Sequence, residues 1–332
     1  MTPTTITHPT DPAAALDRGR LALHCYAVGV AIATGLLVFA GGLVTSTGSG
    51  LAVPDWPLSY GELMPPMVGN IRFEHGHRMV ASGVGFLTVV LALWAWRREP
   101  RRSVRRLAYA ALAAVIVQGI LGGLTVRFFL PAPISVAHAT LAQTFFCMVV
   151  TFALVTSPGW LRREPAVAEP EAGARSSTLA MATTLVIYLQ LILGAVMRHI
   201  EAGLAIPDFP LAFGRLVPPF TSAGVAVHFA HRVGALLVVI AVACTVRRVL
   251  QRHGNLALLR RPALILAGLV TVQIALGATT VWTRKAVLPT TFHVLCGALV
   301  LVTSLVLTLR TRRLVPVERR ARVPFATPEV AT

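Results

Sequence analysis

Eight stretches of about twenty apolar residues each recur along this chain of 332 residues. Each is long enough to cross a hydrocarbon core of roughly 30 Å at 1.5 Å of helix rise per residue. They lie near Cys25–Val44, Met79–Trp96, Leu107–Val126, Ile134–Thr156, Leu179–Met197, Val225–Thr245, Ala263–Val281 and Leu288–Leu309. Only 13% of the residues are charged, about half the share that covers the surface of a soluble domain. The fold expected is an all-α membrane protein with eight transmembrane helices. The first stretch is too long for the core of a secretory signal, so it is read as a span.

The formal net charge of +17 acquires a meaning once the spans are placed. Arg18 and Arg20, the arginines from Arg97 to Arg106, from Arg162 to Arg175, from Arg247 to Arg261 and from Arg310 to Arg322 fall on one side and make 22 of the 30 basic residues. The positive-inside rule then predicts a multi-pass protein of the cell membrane with both termini in the cytoplasm. The excess charge reads as an orientation signal with an attraction for anionic membrane lipid, not as a footprint for nucleic acid. Cys25, Cys147, Cys244 and Cys296 all fall within predicted spans, and no disulfide framework is expected.

The chain is also written twice. Gly50-Leu51-Ala52-Val53-Pro54-Asp55-Trp56-Pro57-Leu58 returns as Gly203-Leu204-Ala205-Ile206-Pro207-Asp208-Phe209-Pro210-Leu211 at an offset of 153. His77-Arg78 returns as His231-Arg232 at 154, and Val117-Gln118 and His138 return as Val272-Gln273 and His293 at 155. Four spans per half is an even number, so both halves enter from the same side, which predicts parallel repeats forming two four-helix bundles. The expected division is a tail over 1–24, a bundle over 25–156, a linker over 157–177 rich in Pro, Glu, Ala and Arg, a second bundle over 178–310 and a basic tail over 311–332. In each half, a long apolar loop studded with prolines joins the first two spans and reads as a lid over the bundle mouth.

Within the spans, ionisable residues are few and therefore informative. His77 and His231 are expected to open the second span of each half, and His138 and His293 to lie about a turn into the fourth. Two imidazoles on different helices at similar depth are what a haem with two axial histidines requires in a four-helix bundle. Two histidines undersupply a zinc ion, whereas haem brings its own equatorial nitrogens. His228, three residues before His231, competes with it as a ligand. His75 is set aside as facing elsewhere, and His8, His24, His199 and His253 are read as surface residues.

The repeat exposes one asymmetry, since Glu74, three residues before His77, maps onto His228. A carboxylate beside one histidine pair and not the other marks Glu74 as the candidate for proton or charge handling, the alternative being an ordinary interfacial carboxylate paired with Arg72 or Arg78. Arg78 and Arg232 suit haem propionates or interfacial snorkelling. Asp55 and Asp208 read as turn-stabilising residues, and Gln118 and Gln273 as amides that bond across helices.

The segment from Gly48 to Leu58, the run Glu74-His75-Gly76-His77-Arg78 and the paired histidines together resemble the haem A synthase family of cytochrome oxidase assembly proteins. The resemblance spans roughly Cys25 to Arg310. It implies oxidation of a methyl group of haem O to the formyl group of haem A through hydroxylated intermediates. His77 and His138 would hold the substrate haem with Glu74 as catalytic acid, while His231 and His293 would ligate a resident haem b as electron-transfer cofactor. Haem O synthase and a quinone or other electron acceptor would be partners. Some family members carry a cysteine pair in the outer loops; this sequence has none there. The alternative is a non-catalytic dihaem b-type membrane cytochrome that relays electrons from quinol.

Overall fold

The structure is a computed structural model that describes residues 12–162 and 176–315. Much of the expected linker and both tails, with His8, lie outside the described residues. Nine α-helices are present there: α1 (Pro12–Ser46), α2 (Ile71–Arg98), α3 (Arg102–Arg127), α4 (Ala132–Thr156), a single turn α5 (Pro158–Leu161), α6 (Ser176–His199), α7 (Ala223–His253), α8 (Ala257–Trp282) and α9 (Val287–Leu314). Eight of them are long and apolar enough to span a membrane. The chain is an all-α, multi-pass membrane protein.

Every spanning helix runs beyond the apolar stretch that announced it. α2 begins at Ile71 and not near Met79, and α7 continues to His253 and not Thr245. The added turns carry Arg72, Glu74, Arg247 and Arg248, whose charges lower the hydropathy but suit a helix end that projects above hydrocarbon. The tail expected from residue 311 likewise begins as the last turn of α9. The helices are apolar around their circumference, and outward-facing side chains such as Ile32, Leu36 and Phe86 remain well over half exposed, as lipid-facing residues should.

Helix contacts organise the chain around two rings. α1 and α3 each touch both α2 and α4, and α6 and α8 each touch both α7 and α9. Between the rings, α1 packs on α9, α4 on α6 and α4 on α9. Exchanging the halves turns the first of these contacts into the second and leaves the third on itself. At the α1–α9 seam Phe39 and Phe292 stack with centroids 5.3 Å apart, and Gly42 lets Thr291 approach the α1 backbone.

Polar groups that an apolar medium would leave stranded are tied across helices. Pro262 inside α8 cannot donate to the carbonyl of Leu258, and the Arg310 guanidinium of α9 donates to that oxygen instead, at 2.9 Å. Thr184 of α6 bonds Ser304 and Thr308 of α9 at 2.7 and 2.8 Å. His24 donates through Nδ1 to the carbonyl of Ala153 at 2.9 Å. His253, expected on a surface loop, is buried in the last turn of α7 and bonds Ser176 at the start of α6 at 3.2 Å. Cys25, Cys147, Cys244 and Cys296 sit in α1, α4, α7 and α9 as free thiols.

Candidate functional site

Two similar loops, residues 47–70 and 200–222, cover the mouths of the rings. Each folds into a tight turn closed by a bridge, Ser59 to Glu62 in one and Ala212 to Arg215 in the other. The central residues have positive φ, Tyr60 at 54° and Gly61 at 74°, Phe213 at 55° and Gly214 at 71°, the pattern that makes glycine favoured at the second position. Asp55 accepts from the N–H groups of Tyr60 and Gly61 at 2.7 and 2.8 Å, and Asp208 does the same for Phe213 and Gly214 at 2.8 Å each. These bonds, Gly61 and Gly214 foremost, hold both carboxyl groups below the usual carboxylate range. Both aspartates thus have the turn-stabilising role expected of them.

His77 and His138 lie six residues into α2 and α4, and His231 and His293 lie eight and six residues into α7 and α9. His77 and His231 therefore do not open their helices, because those helices start earlier than hydropathy suggests. Each of the four rings rests against a glycine of the neighbouring helix. A methyl group on Gly41 of α1 would meet Cε1 of His77 at 3.2 Å, and one on Gly122 of α3 would meet Cε1 of His138 at 3.3 Å. Gly194 of α6 and Gly277 of α8 stand in the same relation to His231 and His293, at 2.9 and 3.0 Å. Gly41 and Gly194 are related by the 153 offset, and Gly122 and Gly277 by 155.

The buried carboxylate of Glu74 accepts from the backbone N–H of Val53 at 2.8 Å and from Arg78 Nη2 at 2.6 Å. Arg72 lies over the ring of Phe73, so the partner of Glu74 is Arg78. The same guanidinium donates to the carbonyls of Asp55, Leu58 and Val53 at 2.7, 3.0 and 3.2 Å and reaches Ser59 Oγ at 3.4 Å. Ser59 Oγ bonds Nδ1 of the buried His75 at 2.8 Å, and His75 Nε2 has no partner. Glu74, Arg78, Ser59 and His75 form one connected network that fastens the first lid to α2.

The second half keeps the fastening and lacks the carboxylate. His228 takes the place of Glu74 and receives the N–H of Ile206 at 3.3 Å. Arg232 donates to the carbonyls of Leu211, Ile206 and Asp208 at 2.8, 3.2 and 2.6 Å. Ser59 and His75 are replaced by Ala212 and Phe229, which pack in an apolar cluster. The sequence leaves Arg78 and Arg232 open to haem propionates or interfacial snorkelling, and in the structure both guanidinium groups donate to lid carbonyls. His228 likewise serves the lid, while His231 alone rests against the helix facing it.

Around the rings the halves differ again. Nδ1 of both His77 and His138 is buried without a hydrogen-bond partner. His293 Nδ1 instead donates to the backbone carbonyl of Gln273 at 3.1 Å, and His231 Nδ1 lies 3.0 Å from the side-chain amide of Gln190. Gln118 donates to the carbonyl of His138 at 3.0 Å, and Gln273 Nε2 stands 3.4 Å from His293 Nε2. Both glutamines bond across helices as their positions suggested.

Residues 24–306 match the family model described as cytochrome oxidase assembly protein, a segment that holds both lids and all four paired histidines. The chain is 30% identical over 277 residues to the haem A synthase of Halalkalibacterium halodurans, covering 81% of this chain and 90% of that one. It is 36% identical over 254 residues to the haem A synthase of Symbiobacterium thermophilum, covering 73% and 80%. This chain belongs to the haem A synthase family.

Within this haem A synthase family member, the sequence pattern had pointed to the histidines, Glu74 and the aspartates, and it had passed over three further groups. The four glycines give no signal of their own until the ring each one receives is known. Gln190 has Leu37 at its counterpart position, so the repeat does not mark it. His75 is buried where the lid residue Ser59 meets α2.

Proposed function

We propose that this chain is a haem A synthase that oxidises a methyl group of haem O to the formyl group of haem A, for use in cytochrome oxidase. The observation that carries the reading is the buried Glu74 carboxylate, paired with Arg78 beside His77, with His228 at its counterpart position in the other half. Two identical electron relays would have no use for that difference. The first ring is the substrate half, where His77 and His138 would hold haem O. The second ring is the cofactor half, with His231 and His293 as ligands of a resident haem b.

The residues present fit these groups. Among the described residues no three His, Cys, Asp or Glu side chains converge to hold a metal ion, whereas each ring offers two imidazoles seated on glycines. A haem supplies its own four equatorial nitrogens and needs only that pair. Haem b, when bound, supplies a one-electron carrier.

A methyl group and one water yield a formyl group, four protons and four electrons. The electrons leave for an acceptor such as a quinone, and the protons need a base near the reacting carbon. Glu74, hydrogen-bonded by Arg78 and the Val53 N–H within the same helix turn as His77, is the base the first ring offers. Arg78 keeps the lid over that carboxylate and limits access of bulk water. The lids stand on the side opposite the arginine-rich loops, so the chemistry takes place at the outer face of the cell membrane with both termini cytoplasmic. Haem O, whose farnesyl tail is lipid-soluble, enters from the membrane after its release by haem O synthase.

The test is to express the full chain with haem O available, extract the pigments and identify them. Haem A or its hydroxylated precursor is the expected product. Haem B alone in both halves refutes the synthase and leaves an electron-relaying dihaem cytochrome.

A further inference from the structure

Gln190 of α6 places its amide nitrogen 3.0 Å from His231 Nδ1 and 2.7 Å from the His231 carbonyl. It can do so because residue 234 is glycine. A methyl group there would overlap the Gln190 amide oxygen outright. At the corresponding positions of the first half stand Leu37 and Val80, an apolar pair with no amide and a branched side chain where the second half has glycine. The exchange is therefore made on two helices at once, with an amide opposite a glycine in one half and two apolar side chains in the other. The exchange supplies the Nδ1 contact of His231, and with the Gln273 carbonyl on His293 both imidazoles of the second half have an Nδ1 partner while neither imidazole of the first half does.

We infer that Gln190, admitted by Gly234, is a positioning residue that fixes the His231 ring so that the second half retains its haem, while the unrestrained rings of the first half let theirs exchange. The inference rests on the assignment of the second half to a resident haem b. A histidine that ligates iron through Nε2 carries its proton on Nδ1 and orients by donating it. His293 already donates its Nδ1 proton to the Gln273 carbonyl. For His231, half a turn of the Gln190 amide about its last bond exchanges oxygen for nitrogen with no other movement. The oxygen then accepts the Nδ1 proton, at the loss of the bond to the His231 carbonyl, which remains in the helix ladder. A hydrogen bond of this kind makes the imidazole a stronger donor to iron, favours the ferric state and resists rotation of the ring. The first half has the opposite requirement, because a substrate must enter and a product must leave.

The experiment uses the full chain in a His77→Ala background loaded with haem b, so that only the second half carries haem. Two quantities are read, the midpoint potential and the rate of haem transfer to excess apomyoglobin. Gln190→Leu, and Gln190→Leu with Gly234→Val to copy the first half, are expected to raise the potential and to speed haem loss by about tenfold or more. Gln190→Glu keeps an oxygen and adds charge, and it is expected to lower the potential while preserving retention. Should the leucine variants fail to fold, the glutamate variant decides, and an unchanged potential in it overturns the inference. Leucine variants that fold and match the parent in both quantities also overturn it. His231→Ala separates the role of Gln190 from the assignment of haem b to the second half. Haem retained without His231 refutes the cofactor-half assignment, whereas haem lost from His231→Ala but unaffected in every Gln190 variant refutes only the role of Gln190.

Discussion

Arg78 Nη2 meets Glu74 Oε1 at 2.6 Å, one helical turn apart on α2, and the same guanidinium holds four groups of the lid above it. The pair joins the closing of the mouth to the state of the carboxylate, since Glu74 also receives the Val53 N–H of the lid. Substituting Glu74→Gln preserves an oxygen for Val53 but removes the charge facing Arg78. Conversion of haem O should fall by about 100-fold or more, the usual scale for a lost general base, with the resident haem content unchanged. Quantifying haem A per unit of haem B in membranes checks this, and near-normal conversion would remove Glu74 from the chemistry.

The lids should loosen in acid. Asp55 and Asp208 have carboxyl groups depressed by the hydrogen bonds they accept from the turn. A group whose pKa is lower folded than unfolded contributes stability above its unfolded value, near 4, and loses that contribution as the pH falls through the folded value. Both turns should therefore be equally firm from neutral pH down to about 4 and open below it. Cleavage of the loops by an acid-active protease measures the opening. Asp55→Asn should show loosened behaviour in the first loop already at neutral pH, with little further change in acid.

A methyl group at the glycine seats should displace the rings. Gly194→Ala and Gly277→Ala would bring Cβ to 2.9 and 3.0 Å from Cε1 of His231 and His293, closer than packed carbons allow. The imidazole is the part that yields, so the chain should still fold but bind the resident haem about tenfold or more weakly, with an altered low-spin electron paramagnetic resonance signal. Gly41→Ala and Gly122→Ala, at 3.2 and 3.3 Å, should leave that signal intact and impair conversion alone.

The four histidines and the Glu74–His228 difference were legible in the sequence because the repeat supplies its own alignment: a residue that recurs, or conspicuously fails to recur, can be seen without a relative. What the repeat could not show depended on the folding of chain over chain. The guanidinium of Arg78 suits a propionate or the interface by sequence alone, and only the fold of the loop over α2 brings the lid carbonyls around it. Helix ends were misjudged for a related reason, since Arg72 and Glu74 dilute hydropathy while continuing the helix above the hydrocarbon. His253 read as a loop residue because α7 outlasts its apolar stretch.

Ser59 and His75 offer a check on the lid network, because the second half shows what their apolar replacement looks like. The double variant Ser59→Ala, His75→Phe removes both members of a buried polar pair, including the unpartnered Nε2, and replaces them with Ala and Phe as at positions 212 and 229. Its thermal stability should be kept or raised, since removing both partners avoids the cost of stranding one. Haem A formation should fall, and conversion equal to the parent's would confine the pair to a structural role.

The account stands on a division of labour between the two rings, and four variants measured side by side address it. His231→Ala and His293→Ala should lose the resident haem b. His77→Ala and His138→Ala should keep most of it while forming no haem A, read as extracted pigment per purified chain. Loss of haem b from all four variants alike, or haem A formation surviving in His77→Ala and His138→Ala, would contradict it.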